Sequence, residues 1–243
     1  MSAECNLFFA ACRPFTIDVV GRILSGYRCR YRVEYYRDCL FDRFGIPFPP
    51  QLENAVAKRR SDYLAGRVCA QRLLMQLGFG ASRSVVLTGA NGEPIWPEGV
   101  VGSISHSADL AVCIATVDAN ILGVGIDIEE EIHPDIADAI KCQIVDAEED
   151  MMISSYFHAY NQGLTVVFSA KESAYKAAYR LVERFLEFSA IRVVSVDATK
   201  VVFSVSEELS DRLQVGAKIA VNYAITGRDI QTVACLSRCA LKK

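Results

Sequence analysis

The sequence has only three histidines and one tryptophan, and its nine cysteines include no Cys-x-x-Cys pair. Zinc sites usually combine closely paired cysteines with histidines, so this composition does not favour one. A secretory signal and an apolar run of about 18 residues are also missing, which argues against export and against a membrane span. We therefore expect a cytoplasmic protein whose reduced cysteines serve as small core residues.

A clear excess of one charge is also missing. The chain has 26 Lys and Arg against 29 Asp and Glu, a formal net charge of −3. This balance gives no support for nucleic-acid binding. Basic residues nevertheless concentrate between positions 22 and 72, and ten acids lie between positions 127 and 150. The pattern fits either a polyanion held near carboxylates, with a metal between them, or two solvated faces.

Hydrophobic periodicity predicts an α+β fold with a domain boundary near residue 120, because strands and helices do not alternate strictly. The predicted helices cover Leu52–Leu77, residues 136–161 and Ser169–Phe185. The predicted strands cover Ser84–Leu87, Val101–Ser105, Leu110–Val117, Leu122–Glu129, Val193–Val196, Val201–Val205, Lys218–Ala224 and Thr232–Leu236.

The strand Leu122–Glu129 carries the most informative pattern. Alternation places Gly123, Gly125, Asp127 and Glu129 on one face and the apolar side chains on the other, core-facing side. Two carboxylates on one face can share a hard cation such as Mg²⁺. The glycines leave that face bare, so a ligand could approach the backbone. The alternative is an exposed edge that carries ordinary acids.

The segment from Phe168 to Lys176 allows two interpretations. Ser169 and Glu172 have the spacing of a helix capping box, and Glu172 and Lys176 have the spacing of a routine helical ion pair. The same geometry would also place a carboxylate and an ammonium together, as a base or metal ligand and a phosphate partner.

A third cluster, Val101–Ser107, brings hydroxyls, a glycine and a histidine to the end of a short strand. Such a segment can bind phosphate oxygens, or it can be a turn rich in turn-forming residues. A hydrolase dyad of Ser105 and His106 is disfavoured, because neighbours on a strand point to opposite faces.

These motifs, taken in order, resemble a known family. Gly-Ser-Ile-Ser-His-Ser at 102–107, Gly-Ile-Asp-Ile-Glu at 125–129 and Phe-Ser-Ala-Lys-Glu-Ser-Ala-Tyr-Lys at 168–176 are similar to the Sfp-type 4′-phosphopantetheinyl transferases. The segment from Arg60 to Arg67 and the pair Trp96-Pro97 resemble the subgroup typified by enterobactin synthetase component D. The resemblance covers about residues 45–180, and the first 40 and last 55 residues carry no usable motif.

The resemblance implies a pseudo-dimer of two similar subdomains, residues 1–120 and 121–243, in a monomeric chain with the active site between them. It implies an Mg²⁺-dependent enzyme that moves the phosphopantetheine arm of coenzyme A to a serine of an apo carrier protein, in siderophore or other nonribosomal peptide synthesis. It implies Mg²⁺ held by Asp127, Glu129 and Glu172, with Glu172 and Lys176 catalytic. It implies that coenzyme A is contacted by Arg60, Arg67, Ser105, His106 and Lys176.

One position departs from the family pattern. Many relatives have a cation between Gly and Pro shortly before the Ser-His motif, whereas this chain has Glu93 between Gly92 and Pro94. Either Glu93 points away from the phosphate or Arg60 and Arg67 bind it. Two other functions also stay open: a different Mg²⁺-dependent phosphoryl or nucleotidyl transferase, and a non-catalytic module that binds coenzyme A.

Overall fold

A computed structural model describes residues 7–239, and the chain divides into two compact units whose boundary lies between Val117 and Asp118. We call the residues up to Val117 unit 1 and those from Asp118 unit 2. Each unit contains an antiparallel sheet with a long helix packed on it. The predicted α+β class is therefore confirmed. Between residues 7 and 239, no helix combines the length and the apolar character needed to cross a membrane.

The sheet of unit 1 combines two strands from the beginning of the unit with two strands from its end. The strands and α-helices are β1 (Phe9–Val19), β2 (Arg22–Tyr31), α1 (Cys39–Phe44), α2 (Ala57–Gln76), β3 (Leu87–Thr88), β4 (Pro94–Ile95), β5 (Val101–Ser107) and β6 (Leu110–Thr116). The sheet order is β1-β2-β6-β5, and β3 and β4 form a separate small hairpin. Helix α2 packs on β2, β5 and β6 and buries side chains such as Leu64 and Val68.

Two sequence expectations in unit 1 are wrong in detail. The long helix begins at Ala57 rather than Leu52, because Pro50–Leu52 forms a 3-10 turn and Val56 is extended and exposed. The predicted strand Ser84–Leu87 is replaced by β3, which starts only at Leu87. The hairpin of β1 and β2 was not predicted, since it lies in the segment without a recognisable motif.

Unit 2 contains a five-stranded antiparallel sheet and three helices within the described residues. The elements are β7 (Ile121–Glu130), α3 (Pro134–Ile144), α4 (Ala147–Tyr156), α5 (Tyr160–Val182), β8 (Ile191–Val196), β9 (Lys200–Val205), β10 (Lys218–Thr226) and β11 (Asp229–Ser237). The sheet order is β7-β11-β10-β9-β8. The acidic segment predicted as one helix is two, separated at Val145 and Asp146. Asp146 caps α4 in a capping box with Glu149.

Helix α5 lies directly against strand β7, and two glycines permit this approach. A Cβ atom at Gly123 would lie 1.8 Å from the Ala177 carbonyl oxygen, and one at Gly125 would lie 1.8 Å from the Ser173 carbonyl oxygen. The expectation that these glycines leave the strand face bare for a ligand is therefore wrong. The backbone that approaches them is that of α5, and both faces of β7 are buried from Gly123 to Ile128.

All eight cysteines within residues 7–239 are free thiols, as the composition suggested. Cys29, Cys69 and Cys113 belong to the buried core of unit 1. Burial raises the pKa of the Cys69 and Cys113 thiols. Cys39 and Cys142 are exposed.

Candidate functional site

Asp127 joins strand β7 to helix α5. Its side chain accepts hydrogen bonds from Lys176 Nζ at 2.6 Å on Oδ1 and from Ser169 Oγ at 2.7 Å on Oδ2. Asp127 is only 3% exposed, so the expectation that its face lies outside the core is wrong. The carboxylate is held as an ion pair inside unit 2, and it fixes the position of the Lys176 ammonium.

Ser169 is an interior residue of α5 and does not cap it. The helix begins at Tyr160, so the predicted Ser169–Glu172 capping box is wrong and Glu172 lies well past the first turn. Instead Ser169 Oγ lies 3.0 Å from Thr232 Oγ1 on β11, which in turn lies 2.6 Å from Ser173 Oγ. This buried hydroxyl cluster holds one oxygen of Asp127 in place from the side opposite Lys176.

Glu129 and Glu172 complete a group of three electrostatically coupled carboxylates. Burial raises the pKa of Glu129 to about 7, with further repulsion from Asp127 and Glu172 partly opposed by Lys176. Burial also raises the pKa of Glu172, which Lys176 lowers and Asp127 raises. Three acids thus interact electrostatically with one ammonium, and carboxylate oxygens are the ligands that Mg²⁺ prefers. No three His, Cys, Asp or Glu side chains between residues 7 and 239 are arranged as a metal cluster, so the metal role stays a prediction.

The buried residue beside Glu172 ties α5 to its surroundings. Lys171 Nζ lies 2.9 Å from Glu149 Oε1 and donates to the Ile144 and Phe188 carbonyl oxygens at 2.8 and 2.9 Å. Glu149 also accepts from the Val193 N–H at 2.8 Å. The pair therefore connects α5 to α3, α4 and β8, and it restrains the helix that carries Glu172.

In unit 1, His106 on β5 faces the N-terminal turns of α2. His106 Nδ1 lies 3.8 Å from Asp62 Oδ2, and His106 Nε2 lies 3.4 Å from Arg59 Nη1. Asp62 also accepts from Lys58 Nζ at 2.5 Å and from the Tyr31 hydroxyl. Ser105, the neighbour of His106, is 6% exposed. Lys58, the Tyr31 hydroxyl and His106 thus surround the buried Asp62 carboxylate in the first turns of α2.

The two arginines chosen from the sequence have different surroundings. Arg60 donates to Asp38 at 2.8 and 3.1 Å and to the Leu52 and Glu53 carbonyl oxygens, so its guanidinium is held by unit 1 itself. Arg67 is 6% exposed, stacks on Tyr63 at 4.6 Å and donates to Thr88 Oγ1 at 3.0 Å. Its Nε has no hydrogen-bond partner between residues 7 and 239.

Arg59, which the sequence interpretation did not choose, lies beside His106 in the structure. Adjacent positions on a helix differ by about 100°, so Arg59 and Arg60 cannot both face β5. The structure turns Arg59 toward His106 and Arg60 toward Asp38. A correct helix start at Ala57 would have been the signal that distinguishes them.

Glu93 is engaged in its own turn. Its carboxylate accepts from the Asn91 N–H at 2.9 Å and lies over Gly89, where a Cβ would be 2.1 Å from its oxygen. The side chain therefore closes the β3–β4 hairpin, which accounts for an acid at this position.

Two family models that describe the same enzyme match successive parts of this chain. The 4′-phosphopantetheinyl transferase N-terminal domain matches residues 48–116, and the 4′-phosphopantetheinyl transferase superfamily matches residues 123–226. The chain is 33% identical over 160 residues to enterobactin synthase component D of Salmonella typhimurium, covering 66% of this chain and 65% of the relative.

Two further relatives support the same family. The Escherichia coli K12 enterobactin synthase component D is 34% identical over 140 residues, covering 58% of this chain and 65% of that protein. The 4′-phosphopantetheinyl transferase PptT of Mycobacterium tuberculosis is 34% identical over 159 residues, covering 63% of this chain and 67% of that protein. The chain thus spans just under two thirds of the enterobactin synthase components it matches.

Proposed function

This chain belongs to the 4′-phosphopantetheinyl transferase superfamily, and we propose that it transfers the phosphopantetheine arm of coenzyme A to a serine of an apo carrier protein. The observation that carries the proposal is the coupling of Asp127, Glu129 and Glu172 with Lys176 across β7 and α5. The names of the enterobactin synthase relatives support siderophore or other nonribosomal peptide synthesis as the setting. Action as a cytoplasmic monomer stays a prediction from the sequence.

The reaction exchanges one oxygen on phosphorus for another. The carrier serine oxygen attacks the phosphorus that bears pantetheine, and the bond from that phosphorus to the bridging oxygen breaks. Adenosine 3′,5′-bisphosphate leaves. Glu172 takes the serine proton, directly or through water, and its burial makes it a better base than an exposed carboxylate. The Lys176 ammonium, positioned by Asp127, stabilises charge on the departing phosphate.

The carboxylates Asp127, Glu129 and Glu172 would hold Mg²⁺. The fit rests on their chemistry, since three mutually repelling oxygen donors with one ammonium favour a hard divalent cation. When bound, the ion would neutralise charge on the diphosphate. Lys176 contacts Asp127 Oδ1, so the protein itself supplies part of the compensating charge.

Coenzyme A phosphate would be recognised in unit 1 by Arg59, His106 and Arg67. This proposal replaces Arg60 with Arg59, because Asp38 and two carbonyl oxygens already hold the Arg60 guanidinium. Ser105 stays a predicted contact beside His106.

The decisive test is mass spectrometry of a purified apo carrier protein incubated with the full chain, coenzyme A and Mg²⁺. A gain of one phosphopantetheine per carrier is expected. A module that only binds coenzyme A would leave the carrier mass unchanged, and a nucleotidyl transferase would add a different group.

The Glu172→Gln variant tests whether Glu172 is the general base of the transfer reaction. The substitution should lower the transfer rate by about 10²–10⁴, the range of a lost general base. Glu172 lies inside α5 and does not cap it, and glutamine has a similar shape and helix propensity. The thermal stability of the variant should therefore change little. The matched control is Glu130→Gln, an exposed acid at the end of the same β7 strand, which should keep its rate. Near-normal turnover of Glu172→Gln would remove Glu172 from the mechanism.

A further inference from the structure

Two arginines that have no acidic partner within residues 7–239 lie side by side on the β1–β2 hairpin. Arg13 and Arg28 are direct cross-strand partners, so their side chains share one face of the sheet. Between residues 7 and 239, neither makes a hydrogen bond or an ion pair with a carboxylate. Like charges directly opposite each other destabilise an antiparallel pair. The hairpin therefore carries an electrostatic cost that no carboxylate within residues 7–239 offsets.

An aromatic ring holds one of the two guanidinium groups in place. The Arg28 guanidinium carbon lies 4.4 Å from the centroid of the Phe15 ring. The tip of the Phe15 ring occupies the space beside Gly26, where a Cβ atom would be 2.3 Å from the ring carbon Cζ. The missing side chain at Gly26 thus makes room for the ring, and the ring stacks against the planar guanidinium. Arg28 is preorganised before any ligand arrives.

The Arg28 guanidinium also has an unused donor. Its Nε is buried and has no hydrogen-bond partner within residues 7–239. Burial, and then repulsion from Arg13, lowers the pKa of Arg28. The next arginine on the same strand is different, because Arg30 Nη1 lies 2.6 Å from Asp109 Oδ1. What distinguishes Arg13 and Arg28 is the absence of such an acceptor.

We propose that Arg13 and Arg28 form a binding site for a phosphate-class oxyanion. Two guanidinium forks can donate several hydrogen bonds to one tetrahedral dianion, which would also remove their mutual repulsion. The hairpin precedes both segments matched by the family, the first of which begins at residue 48. The anion can be free inorganic phosphate or the phosphate monoester of a nucleotide, and both present the same group.

The test follows the Arg28 Nε–Hε resonance by NMR in the full-length chain during titration with inorganic phosphate. A saturable shift is expected, and Arg13→Gln should weaken binding about tenfold or more, as for a lost charge-assisted hydrogen bond. Phe15→Leu keeps both charges but removes the ring, so it should also weaken binding. These two variants keep the test informative if Arg28→Gln does not fold.

Arg83 provides a matched control. Its guanidinium carbon lies 5.3 Å from the Phe79 ring centroid, but no second arginine is its cross-strand partner. Its Nε–Hε resonance should not saturate with phosphate. A linear response of Arg28 equal to that of Arg83, or unchanged affinity in Arg13→Gln, would overturn the proposal.

A second titration separates the two sources of phosphate. Coenzyme A and dephospho-coenzyme A differ by the 3′-phosphate monoester, so a shift with coenzyme A alone at low concentration identifies a nucleotide monoester. Equal and weak shifts with both compounds, together with a saturable response to inorganic phosphate, identify free phosphate as the ligand.

The transfer assay is independent of these titrations. The Arg13→Gln variant should transfer phosphopantetheine normally, and a chain without transferase activity would still bind phosphate at the Arg13–Arg28 pair.

Discussion

At the scale of single residues, Asp127 is both a proposed metal ligand and a buried link between β7 and α5. Its oxygens are bonded to two different residues of α5, Lys176 and Ser169. Because Asp127 is 3% exposed, its removal would deprive the Lys176 ammonium of its carboxylate partner and the Ser169 hydroxyl of its acceptor at 2.7 Å. The same residue is therefore expected to affect stability and transfer together.

The Asp127→Asn substitution should abolish transfer and lower the free energy of unfolding by about 1–3 kcal/mol, the cost of an unsatisfied buried group. Chemical denaturation and the carrier mass assay measure the two effects. Adding Lys176→Met should recover part of the lost stability, because the uncompensated ammonium disappears, while transfer stays absent. If Asp127→Asn alone unfolds at the same denaturant concentration as the unmodified chain, the ion pair does not stabilise unit 2.

The neighbouring arginines of α2 make a second prediction at this scale. Arg59→Gln should weaken binding of coenzyme A by about 1.5–3 kcal/mol and leave dephospho-coenzyme A unaffected, since a charged hydrogen bond to the 3′-phosphate is lost. Arg60→Gln should instead lower thermal stability, because Asp38 loses its ion-pair partner at 2.8 Å. Calorimetric titration with both ligands checks this, and the opposite ranking would assign the phosphate to Arg60.

At the scale of elements, the depth at which α5 sits against β7 determines where Glu172 and Lys176 lie. Gly123 and Gly125 allow the carbonyl oxygens of Ala177 and Ser173 to touch the strand backbone. A side chain at either position would push α5 outward. The two glycines thus have a packing role that also controls the distance between Asp127 and Lys176.

The Gly125→Ala substitution tests this packing. It should lower the unfolding free energy by about 1–3 kcal/mol or more, as overpacking does, and should reduce transfer as well. The control is Gly80→Ala, because nothing lies within 4 Å of a Cβ there. That variant should stay within about 0.5 kcal/mol of the unmodified chain and keep its activity. A stable, active Gly125→Ala protein would mean that α5 can move without consequence.

Most elements of unit 2 could be predicted from the sequence, whereas the start of α5 could not. The strand β7 was predicted from the alternation of its residue types, which is a local property of the sequence, although both of its faces are buried. Ser169 matched a cap by spacing alone, yet its hydroxyl bonds to Asp127 and Thr232, which are distant in sequence. The contact between Arg59 and His106 could not be predicted for a similar reason, since the two residues lie 47 positions apart.

At the scale of the whole molecule, charge is divided between the two units. Up to Val117 the sequence has 13 Lys and Arg against 10 Asp and Glu, whereas from Asp118 it has 13 against 19. Any attraction to an acidic carrier protein must therefore come from a local basic surface, for which unit 1 is the better candidate.

Transfer to an acidic carrier should then weaken as salt is added. The Michaelis constant for the carrier should rise with sodium chloride, because screening slows association, while kcat stays nearly constant. Initial rates at several carrier concentrations measure this, with a small-molecule substrate analogue as the salt control. A Michaelis constant that does not respond to salt would indicate a mainly apolar docking surface.

The buried thiols of unit 1 allow the transient opening of its core to be measured as a rate of chemical modification. A thiol reagent can modify Cys29, Cys69 or Cys113 only when the core around them transiently separates, since burial keeps them inaccessible and protonated. The exposed thiols of Cys39 and Cys142 should be modified quickly, and their modification serves as the control that active reagent is present. The slow modification rate under native conditions therefore reports how often unit 1 opens, without any introduced label.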